Sequence, residues 1–255
     1  MILNFNSEGL EKYKSLPQKI KFLSENWVAK EIFCPSCGNF LNKADNNLPV
    51  LDFVCQNCKE EYELKSSKKE FIKRITDGAY SSMIKRLESN NNPSFFLLNY
   101  DLKYYKVINF LVIPKHFFSS KLIERRNPLK QTARRAGWVG CNIDLSGIPQ
   151  IGKIYYVKKG IIRPKEEVLE IWKKTFFLRE EKNILSKGWL LDIMKCVEEL
   201  SKKEFTLDEV YAFEKRLKLK YSQNAHIKDK IRQQLQILRD KGYLEFIGRG
   251  KYRLL

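Results

Sequence analysis

The sequence predicts an α/β protein: a mixed sheet with an embedded four-cysteine metal site, followed by a C-terminal winged helix-turn-helix domain. Three observations carry this. Dense apolar runs at residues 95–98 and 107–113 alternate with helical patterning, as buried central strands do. Two C-x-x-C pairs, Cys34 with Cys37 and Cys55 with Cys58, are separated by 17 residues. Beyond residue 182 the pattern changes to three helices and a hairpin, which places one domain at 1–181 and a second at 182–255.

In chain order, Leu10, Tyr13 and Leu16, then Ile20, Leu23 and Trp27, recur at helical spacing, with Pro17 expected to divide them into two short helices. Each C-x-x-C pair can form a tight knuckle that presents two sulfurs to one tetrahedral ion, so Zn²⁺ on four thiolates is the reading for Cys34, Cys37, Cys55 and Cys58. The plainer alternatives are four reduced, unligated thiols or two disulfides. Cys141 and Cys196 read as small buried apolar residues.

Residues 49–54 and 61–65 read as short strands joined by the second knuckle. Strand side chains repeat with period two, so Leu51 and Phe53 face one way with Tyr62 and Leu64, while Asp52, Glu63 and Lys65 share the other face. Two carboxylates held close suit Mg²⁺, and a neighbouring lysine can orient or activate a water. An acid-x-lysine tripeptide is common in a chain this rich in both charges, so a solvated charged face is the alternative. Residues 68–89 read as helix with Ile72, Ile75, Met83, Ile84 and Leu87 inward, and residues 153–157 as a third strand. The basic segment 130–138, with Arg134, Arg135 and Trp138, is either a solvated loop with an anchoring Trp or an arm that grips phosphate and reaches a base.

In the second domain, helices are expected at 186–200, 206–219 and 225–241, and the hairpin at 243–247 and 251–255. In the third helix Ile227, Ile231, Leu235 and Leu238 form one buried stripe, leaving Lys228, Lys230, Arg232, Gln233 and Gln236 outward. Such a set grips phosphates and pairs with base edges, and Arg249 between two glycines makes a basic wing tip. A winged helix used only for protein contact is the alternative.

Composition narrows the partners. Lys plus Arg number 48 against 30 Asp plus Glu, a formal charge of +18, which points to a polyanion. No apolar run approaches the roughly 18 residues needed to span a bilayer, so a membrane is not the expected partner. Residues 1–6 lack the pattern of a secretory leader, and a reducing, cytoplasmic location is expected, which agrees with metal-bound thiols. No heptad repeat or long apolar stripe calls for a dimer, and a monomer without a small-molecule cofactor is expected.

Over essentially its whole length the chain resembles the DpnI family of methyl-directed restriction endonucleases. The likeness lies in residues 34–38, 61–66, Asp77 through Tyr80, Asn91 through Pro93, Thr132 through Trp138, 140–146 and His226 through Leu255. The resemblance implies a PD-(D/E)xK restriction-endonuclease-like sheet with an embedded zinc site, and a winged helix, both contacting DNA. It implies catalysis by Asp52, Glu63 and Lys65, with Mg²⁺ on Asp52 and Glu63 and Zn²⁺ on the four cysteines. Its expected activity is Mg²⁺-dependent, blunt cleavage of double-stranded DNA at GATC when the adenine carries a 6-methyl group. Trp138 beside Arg134 and Arg135, and the helix from His226 with Lys228, Arg232, Gln233 and the wing's Arg249, are the expected DNA readers. The departure from the superfamily pattern is Leu51 before Asp52, with Pro49 displaced upstream. An enzyme with another methylated target, or a non-catalytic zinc and winged-helix regulator, are the competing functions.

Overall fold

Every residue from Ser94 to Tyr100 is buried, and a strand with no exposed face can only sit at the centre of a covered sheet. The computed structural model describes residues 1–44, 51–71, 73–88, 92–181 and 183–255, all but the side chain of Ile184. Two compact units result, one of residues 1–146 and 151–173, the other of 147–150 and 174–255.

The first unit contains α1 (Leu16–Glu31), β1 (Asn42–Lys43), β2 (Phe53–Val54), β3 (Glu61–Ser67), β4 (Arg74–Ala79), α2 (Tyr80–Glu88), β5 (Ser94–Asp101), β6 (Lys106–Ile113), β7 (Ile123–Arg125), β8 (Gly140–Asp144), β9 (Ile154–Lys158), β10 (Ile161–Ile162) and α3 (Lys165–Lys174). Seven strands form one sheet in the order β1-β2-β3-β5-β6-β9-β10, and a smaller sheet runs β4-β8-β7. The large sheet is mixed, because β3 pairs parallel with β5 while β5, β6 and β9 are antiparallel neighbours. α1 buries Ile20, Leu23, Ser24, Trp27 and Val28, and Trp27 meets the Phe110 ring edge-on at 5.2 Å.

Pro17 opens α1 instead of splitting a helix. Ser15 caps the helix in a box with Gln18, the proline sits in the first turn where no amide bond is lost, and a short 3-10 turn (Leu10–Lys12) precedes it. The helix expected over 68–89 is corrected more deeply. Residues 74–79 form β4 and helix begins only at Tyr80; Ile75, Met83 and Leu87 are buried, Ile84 is half-buried, and Ile72 lies outside the described residues. In β4 the inward phase is Ile75 and Asp77, and a charged residue at an inward position hid the alternation. Of the strand expected over 49–54 only Phe53 and Val54 join the ladder; Pro49 and Val50 lie outside the described residues.

The second unit contains α4 (Phe176–Glu180), α5 (Ile184–Glu199), β11 (Glu204–Thr206), α6 (Leu207–Tyr211), α7 (Glu214–Lys220), α8 (Ile227–Asp240), β12 (Leu244–Gly248) and β13 (Lys251–Leu254). Its three-stranded sheet runs β11-β13-β12, giving a winged helix-turn-helix. The helix expected over 206–219 is two: Thr206 ends β11 and caps α6 in a box with Glu209, and the chain breaks at Ala212 and Phe213 before α7. Among the described residues no helix is long and apolar enough to cross a membrane.

Candidate active site, metal centre and nucleic-acid interface

Two knuckles of the same design bring four sulfurs together. Gly38 N donates to Cys34 O and Lys59 N to Cys55 O, each at 2.8 Å, and both turn residues adopt the left-handed region, Gly38 at φ +77 and Lys59 at φ +61. The sulfurs of Cys34, Cys37, Cys55 and Cys58 all lie within 4.8 Å of one another, with Cys34–Cys58 at 3.5 Å and Cys37–Cys55 at 3.4 Å. All four are free thiols. Tetrahedral zinc at its usual bond length to sulfur sets sulfurs about 3.8 Å apart, so the donor set fits that ion. Burial pushes the Cys34 and Cys58 thiols up. Burial opposes ionisation of Cys37 too, but hydrogen bonds from Asn39 and contacts with Asn57 and Cys55 outweigh it and bring that thiol down to about 6. The cluster suggests zinc.

Strand alternation separates this centre from a second cluster. Phe53 pairs with Tyr62, both fully buried; Tyr62 stacks on Phe96 at 4.4 Å and its hydroxyl lies 3.1 Å from Cys34 Sγ. Glu63 and Lys65, one residue out of phase with Tyr62, take the opposite side. Asp52 N still donates to Tyr62 O at 3.1 Å, and the Asp52 carboxylate accepts from the Leu64 amide at 2.7 Å, which fixes Asp52 beside Glu63.

Lys65 Nζ donates to Glu63 Oε1 and, at 2.5 Å, to Asp77 Oδ1. Glu63 is 6 % exposed, and its second oxygen has no hydrogen-bond partner among the described residues. Burial raises the Glu63 carboxyl to about 7; Lys65 opposes this, and the charges of Asp77 and Asp52 reinforce it. Burial alone would lower the Lys65 ammonium, but Glu63 and Asp77 hold it above its ordinary range. A cleft of about 520 Å³ opens over Asp52, Glu63 and Lys65, with Glu25 of α1 on its wall. Burial raises the Glu25 carboxyl, with the Asp52 charge adding to it. An orphaned carboxylate oxygen beside a second carboxylate is a donor set for a hard divalent cation, and the residues therefore fit Mg²⁺.

Sequence reasoning missed Asp77 and Glu25 as members of this cluster. Asp77 left one signal, its place in the stretch from Asp77 to Tyr80 that resembles the DpnI family; Glu25 left none, being one acid among several on a helix.

The segment 126–140 closes on itself through Arg126 N to Gly140 O at 3.0 Å and Leu129 N to Trp138 O at 2.9 Å. Trp138 is half-buried with the Arg135 guanidinium 4.6 Å over its ring, and Arg134 and Arg135 are exposed. The loop is thus anchored by its aromatic and solvated along its basic side at once.

In the winged helix, α8 buries Ile227, Ile231, Gln234, Leu235 and Leu238. Arg232 and Arg249 line one cavity of about 720 Å³ between α8 and the wing, together with Gln236, Arg239, Phe246 and Lys251. The other expected readers are placed differently. Lys228 lies over the Tyr211 ring at 5.4 Å and 3.6 Å from Glu214, Gln233 accepts from Lys230 at 2.7 Å, and His226 is exposed at the start of the helix, 3.8 Å from Asp229. Phe246, 48 % exposed in this basic cavity, was not singled out from the sequence, where it reads as an ordinary strand residue.

Two family models match the chain. Residues 1–181 match DpnI, the Dam-replacing family, and residues 185–254 match the Dam-replacing HTH domain.

Proposed function

The chain belongs to the DpnI, or Dam-replacing, family, and from that premise we propose that it is a type II restriction endonuclease cutting double-stranded DNA at GATC when the adenine is 6-methylated. Family and HTH domain together support a methylation-dependent restriction enzyme, with DNA as partner. The observation that carries the hydrolytic reading is the buried Glu63 oxygen, without a hydrogen-bond partner among the described residues, beside Asp52 and Lys65 at an open cleft.

In this reading Asp52 and Glu63 hold Mg²⁺, which when bound offsets the negative charge that builds at phosphorus. Lys65 keeps its proton against Glu63 and Asp77, orients the attacking water in line with the departing 3′ oxygen, and balances charge on the phosphate. Burial of Glu63 supports the same role: a carboxyl raised to about 7 is costly to ionise alone and gains most from a cation. The four cysteines hold Zn²⁺, which fixes the register of β2 against β3 and hence of Asp52 against Glu63.

Residues 1–181 supply the nuclease and 182–255 a second reader of the site. Enclosing one methyl group discriminates by only about 1 to 3 kcal/mol, so two readers multiply factors that neither reaches alone. Trp138 with Arg134 and Arg135 is the reader in the nuclease domain. His226, Lys228, Arg232, Gln233 and Arg249 contact DNA from the winged helix. The enzyme acts as a monomer in a prokaryotic cytoplasm, a location that the free thiols support.

The deciding experiment is incubation of one plasmid, prepared with and without adenine methylation, with the zinc-loaded protein and Mg²⁺. Blunt fragments from the methylated copy alone, at GATC spacing, are expected. Methyl-dependent fragments at other sites would reassign the target, and intact methylated plasmid bound by the protein would make it a regulator.

A further inference from the structure

We propose that Asp77 is the positioning residue for Lys65, holding the ammonium at the working angle from a strand outside the main sheet; this rests on the nuclease reading above. Asp77 lies in β4, which pairs with β8 and not with β3, so no ladder hydrogen bond fixes it against Lys65. The side chains themselves make the connection, Lys65 Nζ to Asp77 Oδ1 at 2.5 Å. The Asp77 side chain is 5 % exposed. A carboxylate buried that far is unfavourable unless paired, so the fold retains Asp77 only with its cation in place.

The local backbone is shaped for this contact. Between Asp77 and Ala79 the register against β8 slips: Asp77 faces Cys141 and Ala79 faces Gly140, leaving Gly78 as the extra residue of a bulge. A bulge re-aims the side chains around it, and here it stands next to the buried carboxylate. An ammonium has three protons to donate. Glu63 takes one and Asp77 another, on a side chain that also lies 5.9 Å over the Phe95 ring, so the third is left for water or phosphate. With Glu63 as sole anchor the Lys65 stem keeps rotational freedom; the second anchor removes it.

The same strand pair leads to the basic loop. Gly140, opposite Ala79, starts β8 two residues after Trp138, and Tyr80 N donates to Val139 O at 3.1 Å. The loop that carries Trp138 and the strand that carries Asp77 are thus joined through β8 and this backbone hydrogen bond.

The experiment compares the full-length, zinc-loaded wild type with Asp77→Asn and Asp77→Ala. Four quantities are read: acylation of Lys65 by an N-hydroxysuccinimide ester, followed by mass spectrometry; single-turnover cleavage of methylated duplex at saturating Mg²⁺; duplex affinity without divalent ions; and melting temperature. Expected for Asp77→Ala are several-fold faster acylation of Lys65, a cleavage rate about 100-fold lower, and unchanged affinity. Asp77→Asn, which keeps an oxygen on Lys65, lies between. A purely structural role would instead lower affinity and melting temperature and leave Lys65 acylation alone, and that result overturns the proposal. Should Asp77→Ala fail to fold, the Asn variant decides by the same readings. Should the wild type not cut, the nuclease reading falls, and unchanged acylation in the variants would separately overturn the role of Asp77.

Discussion

The ring of Trp138 occupies the space where a side chain at Gly140 would stand: a Cβ built on Gly140 lies 2.8 Å from two ring carbons. Tryptophan packing against bare backbone at the start of β8 sets the ring's position in the basic loop. Gly140→Ala should therefore displace Trp138 together with the Arg135 guanidinium stacked on its ring. If the ring encloses the methyl group, preference for methylated over unmethylated duplex should fall by about 10-fold or more, in the same direction as for Trp138→Ala. Cleavage rates on paired substrates check this; unchanged preference in both variants removes Trp138 from methyl reading.

Glu63 gives a pH dependence whose sign is fixed by its burial. Its carboxyl sits near 7 when folded against an ordinary value of 4.5, so the folded state holds the proton more tightly than the unfolded chain. Without Mg²⁺, its contribution to stability should fall as pH rises from about 4.5 to 7, by on the order of 3 kcal/mol in total. Glu63→Gln, neutral at every pH, should flatten that slope and abolish Mg²⁺-dependent cleavage. Denaturant titrations at pH 5 and 8 on both proteins provide the check, and a slope retained in the variant assigns it to another group.

Because the Glu63 proton must leave before a cation binds, Mg²⁺ affinity should tighten as pH rises through 7 and binding should release a proton below it. Isothermal titration in two buffers of different ionisation enthalpy measures that proton. The Asp52→Asn variant should lose Mg²⁺ affinity without losing the zinc.

Removing zinc should disorder more than the knuckles. A four-thiolate site contributes roughly 10 to 16 kcal/mol at neutral pH, and the second knuckle joins β2, which Asp52 immediately precedes, to β3, which carries Glu63. Cys55→Ser or strong chelation is expected to abolish cleavage and expose the two knuckles and β3 to protease. Retention of both activity and protease resistance by zinc-free protein would argue against that linkage.

In the winged helix, Arg232→Ala and Arg249→Ala should each weaken duplex binding and reduce the slope of log affinity against log salt by about 1, from about −5 if six basic groups neutralise phosphate. Lys228→Ala should change the slope less, since Glu214 already lies 3.6 Å from its ammonium. Fluorescence anisotropy across a salt series measures all three.

The sequence by itself determined what is local. The cysteine spacing dictates two knuckles, period two puts Glu63 and Lys65 on one side of β3, and the apolar runs of β5 and β6 demand a covered sheet. The winged helix was equally legible, since α8 declares its buried stripe within its own residues. Only the tertiary structure decided which distant groups complete the cluster. Asp77 reaches Lys65 because β4 pairs with β8 across an intervening stretch of chain, and Glu25 reaches the cleft because of how α1 lies beside β3. A single sequence carries side-chain periodicity but neither strand register nor the placement of a helix against a sheet, and a buried acid breaks the apolar pattern by which inward positions are recognised; periodicity therefore pointed to neither residue, and Asp77 stood out only through the stretch that resembles the family.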